Sequence, residues 1–326
     1  MDRPKIRWGI LGTGKIARKF VSDLAQTSGE AIAVGSRSLE KAASFAKEWN
    51  IAQAYGSYED LVKAPEVEVI YVSSPHSEHL AHALLALKAG KAVLCEKPMA
   101  PTLPQVQTML QEAKAQGVFL MEALWMYFLP TFRQAQKWIA EGKIGEVKQI
   151  RAEFGFKADY DPESRLFNPS LAGGALLDIG IYPLTFALRL AGGSLKKHES
   201  VVQKAATGVD AGLAYSLEFD NGVVASLHCT FEVDLVNEAI IYGTEGYIRL
   251  PLFWKSTEAF LHTSDQVEHF VNGRTTEGYD YEAEAVHACF RAGKTECDIM
   301  TWAHSEELIR IMDEIRHRHG IQYPFE

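Results

Sequence analysis

The chain has 326 residues, 47% of them hydrophobic, which is more than one hydrophobic core usually serves, so two domains are expected. Its 33 Lys and Arg stand against 42 Asp and Glu, a formal charge of −9, with the two signs interleaved; this disfavours binding to a nucleic-acid backbone. No apolar run approaches the roughly 20 residues that span a bilayer, and MDRPKIRWGI lacks the pattern of a secretory signal, so no membrane partner is expected and the expected location is cytoplasmic.

From residue 6 to about 122, short apolar runs alternate with longer amphipathic ones. Strands are expected at Ile6–Leu11, 31–36, near 54, 67–72, 92–95 and 119–122, with helices at Leu39–Trp49, 79–89 and Leu103–Gln116 among them. That alternation implies parallel βαβ units. Residues 1–123 therefore read as an α/β domain with a doubly wound parallel sheet. A helix at 130–141 and an alternating strand at 147–156 follow, and then the polar loop KADYDPESRLFNPS, which is either a lid or a solvated connection. Farther on, GLAYSLEFDNGVVASLHC reads as two strands joined at Asp220-Asn221-Gly222, where Asn-Gly supplies the positive φ a tight hairpin needs. Helices at 281–292 and Trp302–Arg318 close the chain. Residues 124–326 form the second α/β domain of this reading, with a mainly antiparallel sheet. Cys95, Cys229, Cys289 and Cys297 are scattered without C-x-x-C spacing, which argues against a disulfide framework or zinc knuckle.

Gly12-x-Gly14-x-x-Ala17 follows the first expected strand and opens a helix. The first glycine permits a sharp turn, the second lets backbone approach a pyrophosphate, and the small Ala17 lets helix pack on strand. Gly12, Thr13, Gly14, Lys15 and Ile16 are accordingly assigned to a dinucleotide. In NAD enzymes the second strand ends in an acid that grips the ribose 2′-hydroxyl. Here it ends Gly35-Ser36-Arg37-Ser38, and the hydroxyl of Ser36 with the guanidinium of Arg37 suits a 2′-phosphate. The expected cofactor is NADP, with NAD the alternative.

Three further stretches, SSPHSEH, CEKPM and GGALLDIGIY, in this order behind the glycine loop, resemble the glucose-fructose oxidoreductase and inositol dehydrogenase family of nicotinamide enzymes. The likeness runs nearly end to end, through YGSYEDL, MEALWM and the closing helices. It implies an N-terminal Rossmann domain followed by an α/β substrate domain with an open, mainly antiparallel sheet, whose free face often builds a homodimer. It also implies that Ser74, Pro75, His76 and His79 border the nicotinamide, and that Glu96-Lys97-Pro98 holds Lys97 at the reacting carbon, often through a cis Lys97-Pro98 bond. The family commonly carries histidine where this chain has Tyr182; its sugar and dihydrodiol branch carries tyrosine and lines its pocket with aromatics at the positions of Trp125, Phe154 and Trp254. That branch tends to have arginine where this chain has Tyr127, so that cation is missing here.

Oxidising a hydroxyl by hydride transfer needs a base for the hydroxyl proton. Tyr182 is the candidate. A free tyrosine titrates near ~10, and a cation about 4 Å away contributes on the order of 4 kcal/mol at an effective dielectric of ~20, a role assigned to Lys97. On a helix Asp178 and Tyr182, at i and i+4, share one face, so Asp178 is assigned to a substrate hydroxyl or to orienting Lys97. Pro183 implies a kink or helix start nearby. His76, His79 and His82 have no local carboxylate or thiolate partner, so no metal is expected and catalysis should survive chelators. The expected activity is NADP-dependent dehydrogenation of a D-xylose-like aldose or a cyclic trans-dihydrodiol. Two competing readings are a redox-neutral, NAD-dependent glycosidase of the same superfamily and a non-catalytic NAD(P) sensor; Lys97 and Tyr182 together count against the sensor, because binding alone needs neither.

Overall fold

A computed structural model describes residues 4–326. The apolar opening strand β1 (Ile6–Leu11) is buried at all but one position, as expected of a strand covered on both faces. It is followed by α1 (Lys15–Leu24), β2 (Gly29–Gly35), α2 (Leu39–Trp49), β3 (Gln53–Tyr55), α3 (Tyr58–Lys63), β4 (Val69–Val72), α4 (His79–Lys88), β5 (Ala92–Glu96), α5 (Leu103–Gln116) and β6 (Leu120–Ala123). The six strands pair in parallel in the order β3-β2-β1-β4-β5-β6. Strand order reverses between β1 and β4, and ligands of open α/β sheets bind beyond the carboxyl ends of the strands at such a point. The short α3 is absent from the sequence reading; Ser57 caps it by accepting the Asp60 N–H at 3.1 Å.

After β6 come α6 (Pro130–Ala140), β7 (Val147–Gly155), α7 (Ile181–Leu190), β8 (Leu195–Lys204), β9 (Asp210–Phe219), β10 (Val224–Thr230), β11 (Glu238–Gly243), β12 (Gly246–Pro251), β13 (Glu258–Thr263) and β14 (Val267–Val271). The eight strands are ordered β14-β13-β12-β11-β7-β10-β9-β8, antiparallel except for the β7–β10 pair. The period of two sorts the faces. Ile150, Ala152, Leu227, Ile241, Ile248 and Leu261 are buried on one side, while Arg151, His228 and His269 are exposed on the other.

The chain ends in α8 (Tyr279–Arg291) and α9 (Trp302–Arg318). It divides into two compact units, one running to Trp125 and resuming over Thr275–Ile309, the other comprising Met126–Arg274 and Arg310–Glu326. Asp23 of α1 ties α8 into the first unit: its carboxylate accepts the N–H groups of Glu277, Gly278 and Tyr279 at 3.2, 2.8 and 2.9 Å, satisfying helix-terminal donors that no local side chain caps.

One local expectation needs correction. The β9–β10 hairpin exists, but its connection covers 220–223 and only Gly222 has positive φ, +83°. Asn221 instead donates from its amide to the Ala191 carbonyl at 2.8 Å and accepts the Val223 N–H at 3.2 Å, so its side chain ties the turn to the end of α7. Near Pro183 the expected helix start is present: a π-helical turn, Leu176–Gly180, precedes α7, which begins at Ile181. Proline has no N–H for the carbonyl four residues back, and a wider turn accommodates the lost bond. Against the sequence expectation, the run Pro169–Leu190 is long and apolar enough to cross a membrane by composition, yet 89% of its most apolar window is buried inside the protein. It is a core segment.

Candidate active site

The first unit contributes the glycine loop. Gly12 has φ +112°, and a Cβ on it would stand 2.9 Å from Ser73 Oγ, so only glycine closes this turn. Its N–H donates to the Gly35 carbonyl at 3.0 Å, joining the ends of β1 and β2. Gly14 is the N-cap of α1; no side chain caps that helix, its first turn carries no acid, and a Cβ on Gly14 would meet nothing within 4 Å. Backbone donors of a helix start thus face open space, a cradle whose charge and room fit a pyrophosphate. Thr13 and Ile16 are half-buried and Lys15 is exposed beside it.

At the end of β2, Ser36 is buried and Arg37 exposed. Two residues the sequence reading left unassigned join them. The rings of Tyr58 and His82 meet edge to face at 4.5 Å, and His82 Nδ1 lies 2.8 Å from Ser74 Oγ. Burial lowers the His82 pKa, and the Arg37 charge acts in the same direction.

The loop after β4 and the turn after β5 are interlocked. His79 is fully buried, with Nδ1 2.8 Å from the Pro98 carbonyl and Nε2 2.9 Å from that of Ser74; burial pushes its pKa down to about 4 despite both contacts. A neutral ring donates to only one of two carbonyls. With no exposed surface, His79 acts on a ligand only through the loops it holds. His76, half-buried behind the exposed Pro75, has its ring 5.6 Å from that of His79. The Lys97-Pro98 bond is cis. Glu96 accepts a hydrogen bond from the buried Tyr71 hydroxyl and another from the Lys97 N–H at 3.3 Å. Glu122, also missed from sequence, accepts the Met99 N–H at 2.8 Å and the Ser305 hydroxyl at 2.6 Å. Glu282 of α8 is fully buried, and its carboxyl oxygens have no hydrogen-bond partner among the described residues; burial and the nearby Glu96 and Asp23 push its pKa well up. Trp125, 5% exposed, stacks on Tyr279 at 4.6 Å.

The second unit brings together three of the residues chosen from sequence. Phe154 of β7 stacks on Trp254 at 3.6 Å, and its ring centroid lies 5.8 Å from that of Tyr182 in the first turn of α7. Asp178, in the π-turn, accepts an ion-paired hydrogen bond from Arg165 Nη1 at 2.9 Å. Arg165 belongs to the 157–170 loop and carried no signal of its partner. Tyr127 is core: it is buried, hydrogen-bonded to the Thr185 hydroxyl, and has the Arg189 guanidinium 5.5 Å above its ring. All four cysteines are buried and free. Among the described residues no group of three or more His, Cys, Asp or Glu is placed to hold a metal.

Comparison with known proteins extends this picture. Residues 6–124 match the family model described as "Oxidoreductase family, NAD-binding Rossmann fold", and residues 132–249 match "GFO/IDH/MocA C-terminal domain". The chain is 38% identical to the trans-1,2-dihydrobenzene-1,2-diol dehydrogenase of Mus musculus, over 98% of each chain, and 40% identical to that of Xenopus laevis, over 98% and 99%. A crystal structure of a 3-ketoreductase from Actinomadura kijaniata with NADP and TDP-benzene is 26% identical, covers 96% of this chain and 97% of that one, and has a TM-score of 0.86; a lysine-to-alanine and a tyrosine-to-phenylalanine variant of it have also been crystallised with those ligands. With a dinucleotide cradle at the sheet switch point and both family models matched in order, the chain belongs to the GFO/IDH/MocA oxidoreductase family and is an NAD(P)-dependent dehydrogenase of CH–OH groups.

Proposed function

We propose that the enzyme is an NADP-dependent dehydrogenase of cyclic trans-dihydrodiols and D-xylose-like aldoses, with Tyr182 as acid-base and Lys97 as the cation that favours its phenolate. The observation that carries the reading is the tyrosine itself, set against a stacked Phe154–Trp254 pair in a chain that shares 38% identity with a dihydrodiol dehydrogenase end to end. Aromatic faces suit both a sugar ring and a cyclohexadiene diol. Bound nicotinamide supplies the redox step by taking a hydride from the carbinol carbon. The chain's own residues have four tasks. Tyr182, as phenolate, takes the hydroxyl proton; Lys97 favours that phenolate before the transfer; Asp178, ion-paired to Arg165 at 2.9 Å, accepts a hydrogen bond from a neighbouring substrate hydroxyl; the aromatic pair excludes water. Gly12 to Ile16, Ser36, Arg37, Ser74, Pro75, His76 and Glu96 would hold the dinucleotide, with His79 fixing two of these loops. Residues 1–123 are thereby assigned to the cofactor and 124–326 to substrate and self-association. Four buried thiols suit a reducing compartment, in keeping with a cytoplasmic enzyme.

A panel of aromatic trans-dihydrodiols, aldoses and inositols, each with NADP and NAD, tests the assignment at the reduced-nicotinamide absorbance. Reduction of NADP by a dihydrodiol or by xylose is expected. A panel that stays blank while NADPH binds rejects it.

The reading includes a homodimer through the outward face of the second sheet. Cross-strand rows there are aromatic: Tyr242 pairs with Tyr247 and Tyr247 with His262, stacked at 4.3 Å; Arg249 pairs with Phe260 and Phe260 with His269, also stacked at 4.3 Å. Val224, Val267 and Val271 add exposed apolar surface. Such a patch supports association. Sedimentation should give a dimer for the wild type and a folded monomer for Phe260→Asp; a monomeric wild type rejects the interface.

A further inference from the structure

Glu122 stands at the end of β6, 2% exposed. One carboxylate oxygen accepts the Met99 N–H at 2.8 Å and the other the Ser305 hydroxyl at 2.6 Å. Met99 is two residues beyond Lys97, so the carboxylate holds the far side of the turn whose near side Glu96 holds through the Lys97 N–H. His79 grips the middle at the Pro98 carbonyl, and the Cys95 thiol lies 3.5 Å from the Met99 carbonyl. Among the described residues, the titratable groups that act on Glu122 include Lys97, Glu96 and the thiol of Cys95, and α9 contributes the Ser305 hydroxyl. Of the side chains that grip the turn, Glu122 alone meets Met99 through a backbone N–H.

We propose that Glu122 is a positioning residue for Lys97: its ionised carboxylate pins Met99 and places a negative charge behind the lysine, so that protonation of Glu122 loosens the turn and slows turnover. The proposal rests on the assignment of Lys97 made above. A carboxylate accepts a backbone N–H in a charge-assisted bond about twice as strong as a neutral one. The protonated acid keeps only a neutral acceptor, and its charge on Lys97 is gone. Burial pushes the Glu122 pKa up to about 7, while the Ser305 and Met99 hydrogen bonds and Lys97 pull the other way. Because the folded value is raised above that of the unfolded chain, the folded state binds the extra proton, and stability falls as pH rises through about 7. Activity and stability therefore run in opposite directions with pH at this residue.

The test compares wild type with Glu122→Gln, which keeps an acceptor for Met99 and cannot ionise. In the wild type, kcat is expected to fall below a midpoint of about 7. In Glu122→Gln that acidic limb vanishes, kcat at pH 8 drops on the order of tenfold, and the KM for NADP stays put. A merely structural residue would move stability and leave the profile in place; a Glu122→Gln enzyme with the wild-type limb and wild-type kcat overturns the proposal. Amide exchange of residues 96–100, corrected for intrinsic rates, gives a readout without substrate. Protection in the wild type is expected to rise between pH 6 and 8 and to be flat in Glu122→Gln. Should the wild type turn over no diol or aldose, the assigned activity fails, and exchange alone judges Glu122: a flat wild-type profile overturns its positioning role.

Discussion

Tyr182→Phe is expected to lower kcat by about 10²- to 10⁴-fold, the usual loss when a positioned acid-base group is removed, with NADP(H) binding within twofold of wild type. The substitution deletes one oxygen from a side chain that is 6% exposed and leaves its ring against Phe154, so the fold and the aromatic wall persist. Lys97→Ala is expected to cause a loss of similar size, because in the proposed assignment the lysine makes the phenol acidic enough to serve as base. If the two act as one unit, the double variant is little worse than either single one. The pH profiles separate the two roles: Lys97→Ala retains a phenol with a more alkaline limb, whereas Tyr182→Phe has no phenol to titrate. Steady-state kinetics across pH, with thermal melts to verify folding, checks this. Near wild-type kcat in either single variant removes the acid-base assignment.

Arg37→Ala is expected to weaken NADP binding by roughly 10- to 100-fold, since hydrogen bonds to a charged group contribute about 1.5–3 kcal/mol each, while NAD affinity changes less than twofold. The residue is exposed, so its loss should leave melting temperature unchanged. Its charge acts on Tyr58 and His82, and both neighbours should respond to a bound 2′-phosphate. Fluorescence titration with the two reduced nucleotides decides the matter; equal losses for both reject Arg37 as the selectivity residue.

These expectations draw on signals of different reach. The glycine loop and the Gly35-Ser36-Arg37-Ser38 strand end were legible because each is a contiguous segment whose backbone demands are local: Gly12 needs its positive φ and its lack of a Cβ whatever surrounds the domain. The βαβ alternation was legible for the same reason, as hydrophobic period and element length are properties of the chain itself. Even α3 carries a local mark in Ser57 three residues before Asp60, a cap pairing written in the sequence.

Other features lack any such local sign. Glu122 lies in MEALWM, where neither its burial nor its bonds to Met99 and Ser305 can be read from neighbours in sequence. Arg165 meets Asp178 across 13 positions of irregular chain. Asn221 was assigned to the turn for its backbone, and its side chain turned out to matter through a bond to Ala191, 30 residues away.

What the sequence alone determined is the order of elements, the dinucleotide loop and the family, because helix and strand periods, glycine conformations and motif spacing are written along the chain. What the tertiary structure decided is which buried carboxylates hold the Lys97 turn, which cation pairs with Asp178, and that residues 275–309 join the first unit, where Asp23 of α1 holds the start of α8. The reason is physical: burial and long-range hydrogen bonding set the charge state and orientation of a side chain, and both arise only when segments distant in sequence exclude water together.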